Sequence, residues 1–264
     1  MTILAIIIFI FLVAIPVYFI SRSASEKRRQ QQFYRDHFPE EWIDVLNKRI
    51  SYYTRLTEEG KKSFREKISK FLGDAKIIGI GVDIDNSLRL LVACSAVIPV
   101  FHFDGWRYAN MGEILVYDGE VPSKEKIEGI LLGQVKPFQT SHMVLLSKPS
   151  LEQGFQLGGG QRSNVGIHEF IHMVDQADGD IDGIPNALMP EELLKPWTRL
   201  MYAEIERMHK GKSDINPYGL TNHAEFFAVV SEYFFENPER FKKQHPELFE
   251  ILAKVFHEEN MIKK

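Results

Sequence analysis

The sequence predicts an α+β fold, a small sheet set among amphipathic helices and preceded by one membrane-spanning helix. Three observations predict it. Apolar residues recur at helical spacing over residues 38–73 and again after residue 190. Between residues 106 and 148 the chain breaks into short β-prone pieces punctuated by glycine and proline. Residues 3–20 form one uncharged apolar run.

Composition bounds the rest. The 264 residues are 44% hydrophobic and 26% charged, enough for a sizeable core in one domain or two small ones. A formal net charge of -4 without a basic stripe excludes nucleic acid as the main partner. Cys94 is the one cysteine, so there is no internal disulfide, which fits a reducing compartment, and no thiolate cluster. Any metal must therefore be held by His, Asp or Glu.

At the N-terminus, "ILAIIIFIFLVAIPVYFI" is 18 residues long, about 27 Å as a helix and close to the thickness of a bilayer core. Only Met1 and Thr2 precede it, too little for the basic start of a cleaved signal peptide. Arg22, Lys27, Arg28 and Arg29 follow it, so the positive-inside rule turns the domain beyond toward the cytoplasm. The expectation is a single-pass anchor in the cell membrane over residues 1–20, a polar juxtamembrane linker over 21–37 and a folded domain over 38–264 facing the cytoplasm.

Within that domain two or three amphipathic helices come first. Trp42, Val45 and Leu46 share one face, as do Phe64, Ile68 and Phe71. "KIIGIGVDI" reads as a strand and "LRLLVACSAVIPVF" as a buried helix, although its periodicity alone does not separate helix from strand. "EILVYDG", "GILLGQV" and "HMVLLSK" read as strands of the small sheet. A helix then opens at Ser163 or Asn164 as N-cap. Others follow over about residues 190–209, from near Asn222, and once or twice in "PERFKKQHPELFEILAKVFHEE". The phenylalanines of "FFAVV" and "YFF" are core aromatics.

The chemistry lies in "NVGIHEFIHMVDQADGDIDGIP". On a helix, His168 and His172 are four residues and about 400° apart, so both imidazoles reach one ion. Glu169 is turned about 100° from His168, off the metal but within reach of a metal-bound water, and is a candidate general base. This is the H-E-x-x-H arrangement of zinc peptidases, in which three protein ligands leave a fourth position to water. Nine histidines and 24 glutamates would yield about 0.03 copies of the pattern by chance. Ile167, Ile171 and Val174 mark an apolar face that places the helix in the interior. A third ligand is needed. "NHAEFFAVVSEYFFEN" offers Glu225 and Glu232, seven apart on one face; Glu225 also suits a capping box with Asn222, and Glu232 a carboxylate that backs a ligand. Spacing does not choose between them.

The segments "FPEEW", "RISYYTRL", "NVGIHEFIHMVD", "ADGDIDGIP" and "NHAEFFAVVSEYFFENP" resemble, in their order, the Mlc titration factor A family of bacterial zinc peptidases. "YGLTNHAEFFA" is also similar to the active-site helix of the anthrax lethal factor protease domain, where a tyrosine stands seven residues before a zinc-binding glutamate. The resemblance implies a zincin-like, gluzincin-type domain with an active-site helix pair and Zn2+ as cofactor. It implies His168, His172 and Glu225 as ligands, Glu169 as base and Tyr218 as the hydroxyl that stabilises the oxyanion. It also implies a peptide or protein substrate, with "HMVLLSK" as the edge strand along which a peptide backbone pairs. A regulatory protein partner is implied too, by analogy with the glucose-regulon repressor Mlc. The N-terminal membrane segment is an addition to the soluble founder, and the region between residues 106 and 161 matches loosely.

Other signals are weaker. "DGDIDG" starts like a calcium loop, but the twelfth position is Met189 where a bidentate glutamate is required, leaving a tight acidic turn. Asp175 could accept the free N–H of a metal-bound imidazole or face water. His102, His142, His209, His223, His245 and His257 have no ligand spacing and read as structural or surface residues. Two function classes stand: a zinc peptidase, with an aminopeptidase as one variant, and a zinc-containing binding module tethered to the membrane that sequesters a regulatory protein. An intact Glu169 favours the enzyme, because structural zinc needs no base.

Overall fold

A computed structural model describes residues 38–108, 111–121, 142–156 and 163–258, together with Arg29 and Gln32. The expected membrane run, the linker apart from those two residues, and the strand "GILLGQV" lie outside these residues. Among the described residues no helix is long and apolar enough to cross a membrane.

The first helices are α1 (Glu40–Arg49), the single turn α2 (Ser51–Thr54) and α3 (Glu58–Asp74), whose N-terminus is capped by Thr57 accepting from the Gly60 amide. Trp42, Leu46, Phe64 and Ile68 are buried, on the faces that their spacing predicts. Strand β1 (Lys76–Ile80) follows, then α4 (Asn86–Val97), capped by Asp85 and continued by a 3-10 turn over Ile98–Val100. The ambiguous apolar run is thus a helix. Every residue from Leu90 to Val97 is buried, so neighbours on all sides erase the amphipathic period that would have revealed it.

Strands β2 (Met111–Tyr117) and β3 (His142–Ser147) complete a sheet of order β1-β2-β3 with both pairings parallel; Ile78 stands opposite Leu115, and Leu115 opposite Leu145. Ile114, Val116, Val144 and Leu146 are buried at alternate positions, as one pleated face against the core requires. Parallel strands need a crossover, and α4 lies within the one that joins β1 to β2. Among the described residues β3 is an edge of the sheet, where its reading as an edge strand puts it.

Helices α5 (Lys148–Gly154), α6 (Val165–Asp175), α7 (Glu191–His209), α8 (His223–Glu236), α9 (Pro238–Gln244) and α10 (Pro246–Val255) make up the rest. Proline stands in the first turn of α9 and of α10, where a missing N–H costs nothing, and Asn237 caps α9 by accepting from the Arg240 amide.

Helix α6 is the centre of the molecule. It packs on α4, α5, α8 and β3. Ile167, Phe170, Ile171 and Val174 are fully buried, each contributing about 1.5–3 kcal/mol of burial. Phe170 sits between Tyr108 and Phe71, at ring centroid distances of 5.2 and 5.9 Å. Gly166 lets α6 approach α4 so closely that a Cβ there would lie 2.1 Å from Ser95 Oγ. The α8 aromatics are core as expected: Phe234 packs on Phe249 at 5.2 Å and Phe227 stacks on Phe256 at 6.2 Å.

Candidate metal centre

Asn164 fixes the start of α6. Its side-chain oxygen accepts from the Ile167 amide at 3.1 Å, the capping role expected of Ser163 or Asn164. With the helix so begun and its apolar face locked against α4 and β3, His168 and His172 leave the same side one turn apart. The start of α8 lies opposite them. Asn222 accepts from the Glu225 amide at 2.8 Å, half of a capping box, while the Glu225 carboxylate turns to the histidines instead of back to Asn222.

Three donor atoms converge. Glu225 Oε2 is 2.9 Å from His168 Nε2 and 3.3 Å from His172 Nε2, and the two Nε2 atoms are 3.2 Å apart. Two imidazole nitrogens and one carboxylate oxygen at these distances form a donor set that a divalent cation can occupy. Glu232, the other candidate, lies two turns further along α8 and does not join them. Its Oε2 stands 3.5 Å from His168 Nδ1, on the far side of the ring, while Oε1 accepts from the Asn164 amide at 2.7 Å. It therefore backs the histidine and fixes its orientation.

Charge gathers here. Burial pulls the His168 imidazole down, but Glu225, Glu232 and Glu169 more than offset it and raise its pKa to about 9. Burial pushes Glu225 up, yet the hydrogen bond with His168 and the nearness of His172 hold it below the usual carboxylate range. A site that draws protons so strongly onto an imidazole also favours a cation in their place.

The remaining residues fall at different distances. Tyr218 lies in a 3-10 turn (Pro217–Leu220), half exposed, its ring 5.9 Å from that of His168. Its hydroxyl is pushed above its ordinary pKa by burial, by the charges of Glu225 and Glu169 and by a hydrogen bond with Glu225. Glu169 thus stands close enough to act electrostatically on both His168 and Tyr218. Asp175 does something else. Its Oδ2 accepts from the Gly183 amide at 2.8 Å, tying the acidic turn to the end of α6, and burial raises its pKa to about 7. In that turn Asp178 and Asp182 accept from backbone amides, which closes it tightly in place of a calcium loop.

The sequence of the family described as glucose-regulated metallo-peptidase M90 matches residues 24–257. The chain belongs to that family. A Synechocystis protein described only as uncharacterized is 25% identical over 252 residues, covering 89% of this chain and 90% of its own. The Mlc titration factor A proteins of Escherichia coli and Shigella sonnei are 25% identical over 234 residues, covering 83% of this chain and 86% of theirs. A metallo-peptidase family implies a metal, and in this M90 member His168, His172 and Glu225 are, among the described residues, the group of histidine and acidic side chains able to hold one.

Sequence reasoning missed two further tasks of Asn164, whose amide donates to Glu232 and whose Nδ2 donates to Glu236 at 2.9 Å. Only its capping role leaves a sequence signal. His245, read from its lack of ligand spacing as structural or surface, is buried between two carboxylates, partners that no local pattern signals.

Proposed function

We propose that this chain is a zinc-dependent peptidase, with His168, His172 and Glu225 holding the metal, Glu169 as general base and Tyr218 as oxyanion donor. The observation that carries the reading is the convergence of Glu225 Oε2 and both Nε2 atoms within 3.3 Å, with Glu169 and Tyr218 beside them. Membership of a metallo-peptidase family supports it.

Bound zinc supplies a Lewis acid that lowers the pKa of water and polarises a carbonyl oxygen. The chain's own residues do the rest. Glu232, held by the Asn164 amide, stands beside His168 Nδ1 and leaves Nε2 turned toward Glu225 and His172, the atoms with which it would hold the metal. Glu169 takes the proton of the attacking water and passes it to the leaving amine, so that the C–N bond breaks as a carboxylate and an amine form. Tyr218, whose phenol is protonated at neutral pH, donates its O–H to the oxygen on which negative charge develops. A peptide or protein substrate lies along β3, the edge strand among the described residues, through backbone pairing. Cleavage of a broad peptide library tests this: Glu169→Gln should lower kcat by about 10²–10⁴-fold with zinc retained. Undiminished cleavage would remove Glu169 from its role.

A second reading draws on the name of the Mlc titration factor A relatives. In it the zinc domain captures a regulatory protein and cleaves weakly or not at all. Full zinc occupancy with no cleavage by either the wild type or Glu169→Gln would favour it. We also propose that residues 3–20 anchor the chain in the cell membrane with the metal centre in the cytoplasm, on the strength of the uncharged run and the arginines and lysine that follow. A reporter fused after Lys264 that works only outside the cytoplasm would overturn that topology.

A further inference from the structure

Away from the metal centre, His245 occupies the joint between α9 and α10 and is 4% exposed. Its Nε2 is 2.7 Å from Asp214 Oδ1, and its Nδ1 is 3.2 Å from Glu204 Oε1 on α7. Nε2 hydrogen-bonds Asp214, whereas Nδ1 and Glu204 Oε1 meet at an angle that makes no hydrogen bond, so the contact with Glu204 is one of charge, and only the imidazolium pairs by charge with both carboxylates. Asp214 is a hub. Its Oδ2 also accepts from Tyr233 Oη of α8 at 2.9 Å and from Arg240 Nε of α9 at 3.0 Å. Glu204 is 5% exposed and pairs with Arg207 at 2.8 Å.

Asp214 also begins the segment that carries Tyr218. Ile215 is buried, the Asn216 side chain accepts from the Tyr218 amide at 3.0 Å, and the Gly219 and Thr221 amides donate to the Asn216 and Tyr218 carbonyls. Thr221 then leads into Asn222, the cap of α8. The turn is thus fastened at one end by the start of the helix that bears Glu225 and at the other by whatever holds Asp214.

We infer that His245 is a positioning residue, a charged latch that pairs with Glu204 and Asp214 at once and so holds the turn bearing Tyr218 at the metal centre. The inference rests on the catalytic reading of Tyr218 given above. Burial pulls the His245 imidazole down, but Glu204 and Asp214 raise it above the ordinary histidine value, and both carboxylates are held low in return. Ser213 also bonds Glu204, and Arg207, Arg240 and Tyr233 complete the groups that face the cluster. A histidine with a raised folded pKa gives its contribution in full below the unfolded value and loses it as pH rises through the folded one. The latch is therefore closed in acid and released in alkali.

Amide hydrogen exchange of the full chain tests it, comparing wild type with His245→Gln and Asp214→Asn. The expected result is about tenfold less protection of residues 214–221 in each variant, with α4 unchanged, the scale of one lost charge-assisted bond. The wild type should lose the same protection as pH rises above the ordinary histidine range once intrinsic exchange is allowed for, and His245→Gln should not. In cleavage assays both variants should lower kcat with KM and zinc content little changed. Unaltered protection of residues 214–221 would overturn the latch, and so would a loss shared equally by α4. If the wild type cleaves nothing, the role given to Tyr218 fails, while the exchange data still decide whether His245 holds its turn.

Discussion

Glu225 and Glu232 divide two tasks that a spacing of seven leaves interchangeable. Both project from the same face of α8, so the sequence restricts the choice to two; the height of α8 relative to α6 decides it, and no local pattern encodes that. The pair His168 and His172 was legible because both lie on one helix, where 3.6 residues per turn fixes their relation. Replacing Glu225 by Ala should abolish stoichiometric zinc. Glu232→Ala should keep one zinc per chain with affinity lowered about 10–100-fold, as loss of an orienting partner does. Zinc kept in Glu225→Ala and lost in Glu232→Ala would reverse the assignment. Asp175 makes a further prediction. A carboxylate whose pKa rises from 3.8 unfolded to about 7 folded binds a proton more tightly in the native state. Its contribution to stability therefore falls as pH rises from about 4 to about 7 and is lowest above. Asp175→Asn, which keeps an acceptor for the Gly183 amide, should be more stable than wild type above pH 7 by about 1–3 kcal/mol and not at low pH, as denaturant titration would read.

The helices were legible where they are amphipathic and capped, as at Asn164 and Asn222, because a cap is a local hydrogen bond written in adjacent residues. The sheet was legible only as strands. That its pairs are parallel depends on how the crossovers run, which alternation of apolar and polar residues does not record. Two glycines carry the contacts between elements. A methyl at Gly166 would meet Ser95 Oγ at 2.1 Å and Leu151 Cδ1 at 2.7 Å, so Gly166→Ala should cost about 1–3 kcal/mol by overpacking α4, α5 and α6. Gly183 is more exacting. Its φ is +81°, and a Cβ would stand 2.3 Å from the His223 carbonyl oxygen, backbone that cannot yield without moving the first turn of α8. Gly183→Ala should therefore weaken zinc binding as well as stability, because Glu225 rides on that turn, whereas Gly166→Ala should act on stability first. Equal zinc affinity in Gly183→Ala and wild type would separate the turn from the site.

At the scale of the whole molecule, the candidate ligands His168, His172 and Glu225 come from α6 and α8, two helices far apart in sequence that pack on each other, so a metal held there would join them. A ligand that binds only the folded state stabilises it by mass action, by about 2.7 kcal/mol at a free concentration one hundred times its Kd. Zinc should therefore raise the midpoint of thermal unfolding in wild type and in Glu169→Gln, and leave that of Glu225→Ala in place. The apolar patterning pointed correctly to a helix-rich α+β architecture with a small sheet, because the 3.6- and two-residue periods are local and need no knowledge of topology. Catalysis is the claim on which the rest depends. The most direct test strips the full-length chain of metal and titrates zinc back while following peptide cleavage and bound zinc together. Turnover that returns in proportion to zinc and stops rising at one ion per chain, with zinc bound but no turnover in Glu169→Gln, is the predicted result. Turnover that survives stripping, or returns equally in Glu169→Gln, would contradict it.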